Sequence, residues 1–323
     1  MPRHGRIGVF QRLMIPTAYI PTFNGRERLR QTLLSIQGQT RECQVVVVDN
    51  ASDDGTPDMV RAEFPDCLLH ELKSNRGFGT ALNEAISASG EGPVLILNND
   101  VVLEPDFVEQ AMAVFERGAP VVCGVLVQST APGLIDSAGV VADRRTLMAF
   151  DYLEGRPVED ISGAKTPLGA TGGAALYDRG AFNAVGGFDP EIFAYYEDLD
   201  LALRMRSAGY APVLAPLARA THLRSSTLGG RSAAKYALTG WSRGYLIRRY
   251  GVLNSLGGLI RTVIAEIVIC VGQLVIDRTA NGIRGRIRGW NAAKGLPQKP
   301  LPATGLTDFS FRAAIRARVR RYL

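Results

Sequence analysis

Gln44-Val45-Val46-Val47-Val48-Asp49-Asn50-Ala51-Ser52-Asp53-Asp54-Gly55 is the stretch whose reading decides the fold. Its opening is a continuous run of mostly β-branched residues, the pattern of a strand covered on both faces in a parallel sheet. The run breaks into a polar turn, and Thr56-Pro57 then opens a helix with proline in its first turn. Upstream the same unit recurs. Thr17–Pro21 is a short apolar strand that ends in Thr22-Phe23-Asn24-Gly25 and enters a helix carrying Leu29, Leu33, Leu34 and Ile36. Downstream, Leu68–Leu72 predicts a third strand, followed by Asn75-Arg76-Gly77-Phe78-Gly79 and a helix with Leu82, Ala85 and Ile86 inward. Pro93–Leu97 predicts a fourth, ending at Asn98-Asn99-Asp100.

Strand, polar loop and helix repeating in this way predict an α/β fold with an open, mostly parallel sheet flanked by helices. Ligands of such sheets sit beyond the carboxyl ends of the strands, and each polar cluster just named lies at such an end. After Val121–Val127 the pattern loosens. Residues 128–168 predict loops and short strands over the sheet, and regular structure resumes near Gly169–Tyr177. A helix is expected around Asp200–Ala208, stopped by Gly209, with Tyr210–Pro216 as a last strand leading to His222.

Between these elements stands an acidic cluster. Gly186-Gly187-Phe188-Asp189-Pro190 is followed by Tyr196-Glu197-Asp198-Leu199-Asp200-Leu201, which puts four carboxylates among Phe188, Ile192, Phe193, Tyr195 and Tyr196. Like charges in apolar surroundings are unfavourable unless a cation, a helix N-terminus or a reacting proton uses them. A helix start accounts for Asp200 and leaves the Glu197-Asp198 pair open for chemistry.

The chain of 323 residues has room for one large α/β domain with an appendage. Its 46% hydrophobic and 21% charged residues describe a folded protein. Met1–Arg12 lacks the apolar core of a signal peptide. Cys43, Cys67, Cys123 and Cys270 have no ligand spacing and read as buried cytosolic thiols. The net charge of +6 hides an asymmetry: Arg278–Leu323 holds eleven Lys/Arg against Asp308 alone, so the rest of the chain is mildly acidic. A basic tail on an acidic body suits an anionic surface. No stacking-aromatic pattern accompanies it, so no nucleic-acid role is expected.

Val252–Ile276 is apolar, but Arg261 and Glu266 interrupt it. A span needs about 20 apolar residues, and a central charge costs roughly 2.5–3.5 kcal/mol. The reading is therefore an amphipathic or hairpin-like helical pair, lying on a bilayer or packed on the main domain. Phe311, Ile315 and Val319 alternate with Arg312, Arg316 and Arg320 at helical spacing, the pattern of a basic interfacial helix.

Taken together, five of these stretches resemble family 2 glycosyltransferases of the GT-A fold, over roughly residues 15–250. They are Ile20–Gly25, Val47–Thr56, Asn75–Gly79, Leu97–Asp100, and the Gly186–Asp189 block with Glu197–Leu201, with His222 following. Within the family, the Asn-rich loop and the Phe-Asp…Tyr-Glu-Asp block look most like rhamnosyltransferases. The resemblance implies that Pro21, Thr22, Asn24, Asp49, Asn75, Gly77, Asn83, Asn98, Asn99 and Asp100 line the nucleotide-sugar site. A carboxylate at Asp49 can accept the N3–H of uracil or thymine, which favours a UDP or dTDP sugar; its alternative role is to cap the turn after it. Asn98-Asn99-Asp100 stands where the family has its acidic metal motif, so a divalent cation, Mn²⁺ or Mg²⁺, is expected on Asp100 and His222. A lone histidine after a strand can equally be structural. The family's base corresponds to Asp198, with Glu197 beside it, for direct displacement with inversion.

The resemblance also implies a glycan or polyprenyl-diphosphate-linked acceptor. The expected organisation is a catalytic domain over residues 1–240, with a nucleotide-sugar half at about 13–127 and an acceptor half at about 128–240. Residues 241–323 form a basic helical appendage, peripheral at the cytoplasmic face of the cell membrane, and a homodimer is compatible with it. A sugar nucleotidyltransferase would need a Gly-, Arg- and Lys-bearing loop where Pro21–Gly25 stands. A processive polysaccharide synthase would need several spans and a Gln-x-x-Arg-Trp motif. A non-catalytic nucleotide-sugar or lipid-glycan binding protein would have no use for both Asp100 and Asp198.

Overall fold

A computed structural model describes residues 14–223 and 232–309. The basic pattern at Phe311–Arg320 and the stretch 224–231 lie outside the described residues. The first half alternates as the sequence predicts: β1 (Thr17–Thr22), α1 (Arg26–Gln37), β2 (Gln44–Asp49), α2 (Thr56–Glu63), β3 (Leu68–Glu71), α3 (Phe78–Ala88) and β4 (Val94–Leu97). β1 lies parallel between β2 and β4, and β3 extends the sheet beyond β2. The valine run of β2 is explained by burial on both sides. Val47 packs with Ile20, Leu29 and Met59 on one face, while Val46 and Val48 pack with Tyr19, Leu82 and Ile96 on the other. Leu34 is the exception in α1: it faces out, 54% exposed.

The second half comprises β5 (Val101–Leu103), α4 (Phe107–Phe115), β6 (Val121–Gln128), β7 (Ala131–Ser137), β8 (Val140–Ala142), β9 (Ala149–Asp151), β10 (Ala174–Tyr177), α5 (Arg179–Ala184), α6 (Glu197–Ser207) and β11 (Pro212–His222). In the nine-stranded sheet the order is β3-β2-β1-β4-β10-β6-β11-β5, with β7 beside β6. β10 runs antiparallel to both β4 and β6 and so joins the two halves. α6 begins at Glu197, three residues before the expected start, so Glu197, Asp198 and Asp200 all fall in its first turn. β11 continues past Pro216 to His222, with an irregular register between Leu214 and Arg219. Of the four cysteines only Cys123 is buried; the others are half-buried.

Three further helices follow: α7 (Ala233–Arg249), α8 (Leu256–Val275) and α9 (Asn281–Ala292). α7 runs unbroken through the expected boundary at residue 240. Its Tyr245, Leu246 and Tyr250 share a core with Leu199 and Leu203 of α6 and with Leu306, so the appendage is packed on the acceptor half. α9 approaches α7 closely: a Cβ on Gly285 would stand 2.2 Å from the Ala237 carbonyl oxygen.

α8 follows one arm of the sequence reading, an amphipathic helix packed on the main domain, as a single helix rather than a hairpin-like pair. It is one 20-residue helix, long and apolar enough by length and composition to cross a membrane. Of the two charges that interrupt the helix, Glu266 is neutralised from within. Glu266 pairs with Arg243 of α7 at 2.7 Å and with Arg286 of α9 at 2.5 Å. Thr262, Ala265, Ile269 and Gln273 face the protein, while Leu256, Ile260, Ile264, Ile267, Val271 and Leu274 face outward. The result is an amphipathic helix laid along the domain.

Candidate active site

Register places the donor-side residues together. Thr22 and Asp49 are partners at the ends of β1 and β2. Thr22 Oγ1 accepts from Asn99 Nδ2 at 2.9 Å, so the loop after β4 closes over the end of β1. Asp49 is 2% exposed. Its Oδ2 accepts the Ser52 N–H at 3.0 Å, which is the turn-capping role. Its Oδ1 is buried with no hydrogen-bond partner among the described residues. A buried carboxylate oxygen without a donor is unfavourable, and a ligand N–H would satisfy it. Oδ2 thus carries the turn-capping role, while Oδ1 is left open to a ligand donor.

Asn24 adopts a left-handed conformation, φ 49°, and its Oδ1 takes the Asp53 N–H at 2.9 Å. It thus shapes the loop between β1 and α1. Pro21 lies in β1, paired with Val48.

The loop before α3 is held from two sides. Asn50, a residue the sequence reading did not single out, accepts the Arg76 N–H at 2.7 Å and donates to the Gly77 carbonyl at 3.0 Å. Asn75 Oδ1 accepts the Gly77 N–H. Gly77 has φ 79°, and a Cβ there would meet the Phe193 carbonyl oxygen at 2.3 Å, so no other residue fits. Asn83 was expected at the nucleotide. Its amide instead grips the Phe188 backbone, donating to the carbonyl at 2.8 Å and accepting the N–H at 2.9 Å. In this structure Asn83 anchors the Gly186–Asp189 loop on α3.

The candidate cation ligands also meet. β11 pairs antiparallel with β5, which sets His222 opposite Val101 and brings its Nε2 to 3.3 Å from Asp100 Oδ1. The other ring nitrogen, Nδ1, lies 2.6 Å from Asp136 Oδ2, on β7. Burial opposes charge on this imidazole, but the carboxylates of Asp100 and Asp136 outweigh it and raise its pKa to about 9. Asp136 was not legible in the sequence, because nothing in Leu134–Ser137 points to a histidine 86 residues away. With its Nε2 proton displaced, the imidazole joins the Asp100 carboxylate as a donor set that fits a divalent cation, Asp136 holding the other ring nitrogen, and imidazole suits Mn²⁺ better than Mg²⁺. No group of three His, Cys, Asp or Glu ligands exists among the described residues, so the remaining positions would fall to diphosphate oxygens and water.

Asn98 ties this edge to the acceptor side, its N–H donating to the Gly173 carbonyl at 3.3 Å. The neighbouring Gly172 N–H donates to Asp198. Asp198 Oδ1 also accepts the Leu199 N–H at 2.7 Å. Tyr195 and Tyr196 both adopt φ near +67°, a conformation rare for side chains of this size, and it turns the chain sharply into α6. Burial pushes the Glu197 carboxyl up, with the Asp198 charge adding to it. Burial also pushes Asp198 up, assisted by Asp151 of β9. Glu197 Oε2 has no partner among the described residues. Two adjacent half-buried carboxyls with raised pKa values form an acid–base pair suited to moving a proton near neutral pH.

Asp200, expected only to start the helix, is fully buried and holds more. Arg204 Nε donates to its Oδ2 at 2.7 Å and the Tyr250 hydroxyl to its Oδ1 at 2.8 Å.

A row of polar loops at strand ends, an Asp–His pair and a half-buried acid pair across a mixed sheet are the marks of a glycosyltransferase of the GT-A class. Residues 17–186 match the family described as glycosyl transferase family 2, and the chain belongs to that family. Among curated relatives it is 28% identical over 243 residues to an N-acetylglucosaminyl-diphospho-decaprenol L-rhamnosyltransferase of Mycobacterium tuberculosis, covering 67% of this chain and 78% of that protein. Solved structures share the fold. One is GalNAc-T7 with UDP, GalNAc and Mn²⁺, with TM-score 0.57 and 13% identity, over 74% of this chain and 48% of that one. Another is the mannosyltransferase PcManGT of Pyrobaculum calidifontis with GDP-Man and Mn²⁺, with TM-score 0.53 and 18% identity, over 96% of this chain and 87% of that one.

Proposed function

We propose that this glycosyltransferase moves a sugar, L-rhamnose from dTDP-rhamnose or a hexose from a UDP-sugar, to a hydroxyl of a glycan or polyprenyl-diphosphate-linked glycan, with inversion. The observation that carries the reading is the Glu197–Asp198 pair at the start of α6. Asp198, held by the Gly172 N–H, takes the acceptor proton as the acceptor oxygen attacks the anomeric carbon. The bond to the diphosphate breaks in the same displacement, so no covalent link to the enzyme forms. Glu197, whose carboxyl is pushed up by burial and by the Asp198 charge, shares the proton with its neighbour and steadies the charge that develops there. A divalent cation on Asp100 and His222 would neutralise the departing diphosphate.

On the donor side, the unpartnered Asp49 Oδ1 is suited to the N3–H of thymine or uracil. The relative's printed activity, L-rhamnosyl transfer to a decaprenol-diphosphate-linked sugar, favours a lipid-linked acceptor here as well. The outward apolar face of α8 and the basic C-terminal stretch then suit a peripheral site on the cytoplasmic face of a membrane.

The test is nucleoside diphosphate release from dTDP-rhamnose, UDP-glucose, UDP-galactose, UDP-GlcNAc and GDP-mannose. Each is assayed with and without Mn²⁺ and with a short-chain polyprenyl-diphosphate-GlcNAc. Turnover of a dTDP or UDP sugar supports the reading; preference for the GDP sugar overturns it.

A further inference from the structure

Of the five carboxylates between residues 189 and 200, Glu191 is exposed and two are assigned to the proton. The other two, Asp189 and Asp200, share one cation from far along the chain. Lys299 Nζ lies 2.7 Å from Asp189 Oδ2 and 2.8 Å from Asp200 Oδ1, 99 residues beyond Asp200 in sequence. All three side chains are shielded: Lys299 is 15% exposed, Asp189 9% and Asp200 0%. Hydroxyls complete the shell, Tyr245 donating to Asp189 Oδ2 at 3.0 Å and Tyr250 to Asp200 Oδ1. The Lys299 N–H donates to the Arg249 carbonyl at 2.6 Å, so the lysine is fixed at its backbone as well as its head. A surface ion pair would be worth little, but a shielded one with its hydrogen bonds complete is strongly disrupted when one partner is lost.

This clamp bears on the acid pair. Asp189 ends the loop whose Phe188 backbone is gripped by Asn83. Asp200 stands one helical turn after Glu197, where i and i+3 side chains are about 5–6 Å apart on one face. Lys299 therefore ties the loop before α6 to the first turn of α6, and places a positive charge on the face that carries Glu197.

We propose that Lys299 is a positioning residue for sugar transfer, a strap from the C-terminal segment that fixes the place and the charge balance of Glu197 and Asp198. The proposal rests on the glycosyl-transfer reading above. The charged and titratable groups facing the lysine are Asp189, Asp200, Tyr245 and Tyr250, with Arg204 and Arg249 behind them. Those acting on the acid pair are Asp151, Tyr177 and Tyr195. Removing the lysine charge leaves Asp189 and Asp200 against Arg204 alone, a net negative charge one helical turn from Glu197, which favours the protonated form of the pair.

Two substitutions separate charge from packing in the full-length protein. Lys299→Gln keeps two N–H donors and loses the charge; Lys299→Arg keeps the charge. Each is compared with the native chain for turnover of the donor identified above, for binding of the free nucleoside diphosphate and for its pH–rate profile. Lys299→Gln is expected to lower turnover tenfold or more, to leave nucleotide binding within twofold, and to move the acid limb of the profile to higher pH. Lys299→Arg is expected to recover most of the rate and the native limb. Asp189→Asn/Lys299→Gln removes one charge of each sign, so it folds even if the single variant does not, and its acid limb returns to the native position. The inference is overturned if the Gln and Arg variants behave alike, if losses only track the folded fraction with an unmoved limb, or if the double variant's limb stays displaced. Absence of any donor turnover by the native chain would instead overturn the glycosyl-transfer reading.

Discussion

Replacing Glu266 by Gln isolates the interaction that decides which way α8 faces. Glu266 lies between Arg243, whose side chain is 3% exposed, and Arg286 at 14%. The other Arg243 donors already reach the carbonyls of Leu147 and Thr146, so the amide removes charge and leaves most hydrogen bonds in place. Burial works against this carboxylate, but the two guanidinium groups outweigh it and hold its pKa at about 2, against an ordinary 4.5. At ~1.4 kcal/mol per pH unit that gap corresponds to about 3 kcal/mol. Breaking one partner of a buried pair costs about 3–5 kcal/mol in other proteins, which agrees.

For a chain of this size the loss translates into a melting temperature lower by roughly 4–7 °C at pH 7. The sign with pH follows from a depressed carboxylate: its stabilisation is complete above 4.5 and is lost as the pH falls toward 2. Thermal melts of the native protein and Glu266→Gln from pH 7 down to pH 3 should therefore converge in acid. A Glu266→Gln protein melting within 2 °C of native at pH 7, about half the smallest effect expected, or a difference independent of pH, would refute the reasoning.

Asp49→Ala should weaken UDP and dTDP binding about 10–100-fold, the worth of one charge-assisted hydrogen bond, with CDP affinity little changed; calorimetry reads both. Asp136→Ala frees the His222 ring and should lower Mn²⁺ affinity about 10–100-fold in the presence of UDP, read by Mn²⁺ titration rather than by rate. Ile264→Glu/Val268→Glu places two charges on the outward face of α8 and should reduce flotation with phosphatidylglycerol-rich vesicles more than tenfold without lowering the melting temperature, since both residues are exposed. Unchanged flotation would remove α8 from membrane docking.

The sheet and the order of its loops were legible because local signals sufficed. The valine run of β2 requires burial on both faces, and Thr22, Asp49 and Asp100 follow their strands directly. What escaped the sequence depends on distant pairing. Asp136 reaches His222 only because β7 and β11 both flank β6. Lys299 reads as one more basic residue of the tail until the fold sets it against Asp189 and Asp200. Asn83 looked like a polar residue near a nucleotide loop, yet its amide matches a backbone donor and acceptor 105 residues on. The partners of Glu266 escaped too, because charge was counted along the sequence, whereas Arg243 and Arg286 meet Glu266 across the fold.

The central claim is that Asp198 removes the acceptor proton in a single displacement. Its pKa is raised by burial and by Asp151, so the rate should fall on acidification nearer to neutral pH than an ordinary aspartate would allow. The most direct measurement follows product formation by NMR in the native enzyme and in Asp198→Asn, with nucleotide binding recorded for both. The account predicts a product of inverted anomeric configuration from the native enzyme. It also predicts a loss of about a thousandfold or more in Asp198→Asn at unchanged nucleotide affinity, within the range general-base removal produces. Retained configuration, or an Asp198→Asn enzyme that still transfers at a comparable rate, would contradict it.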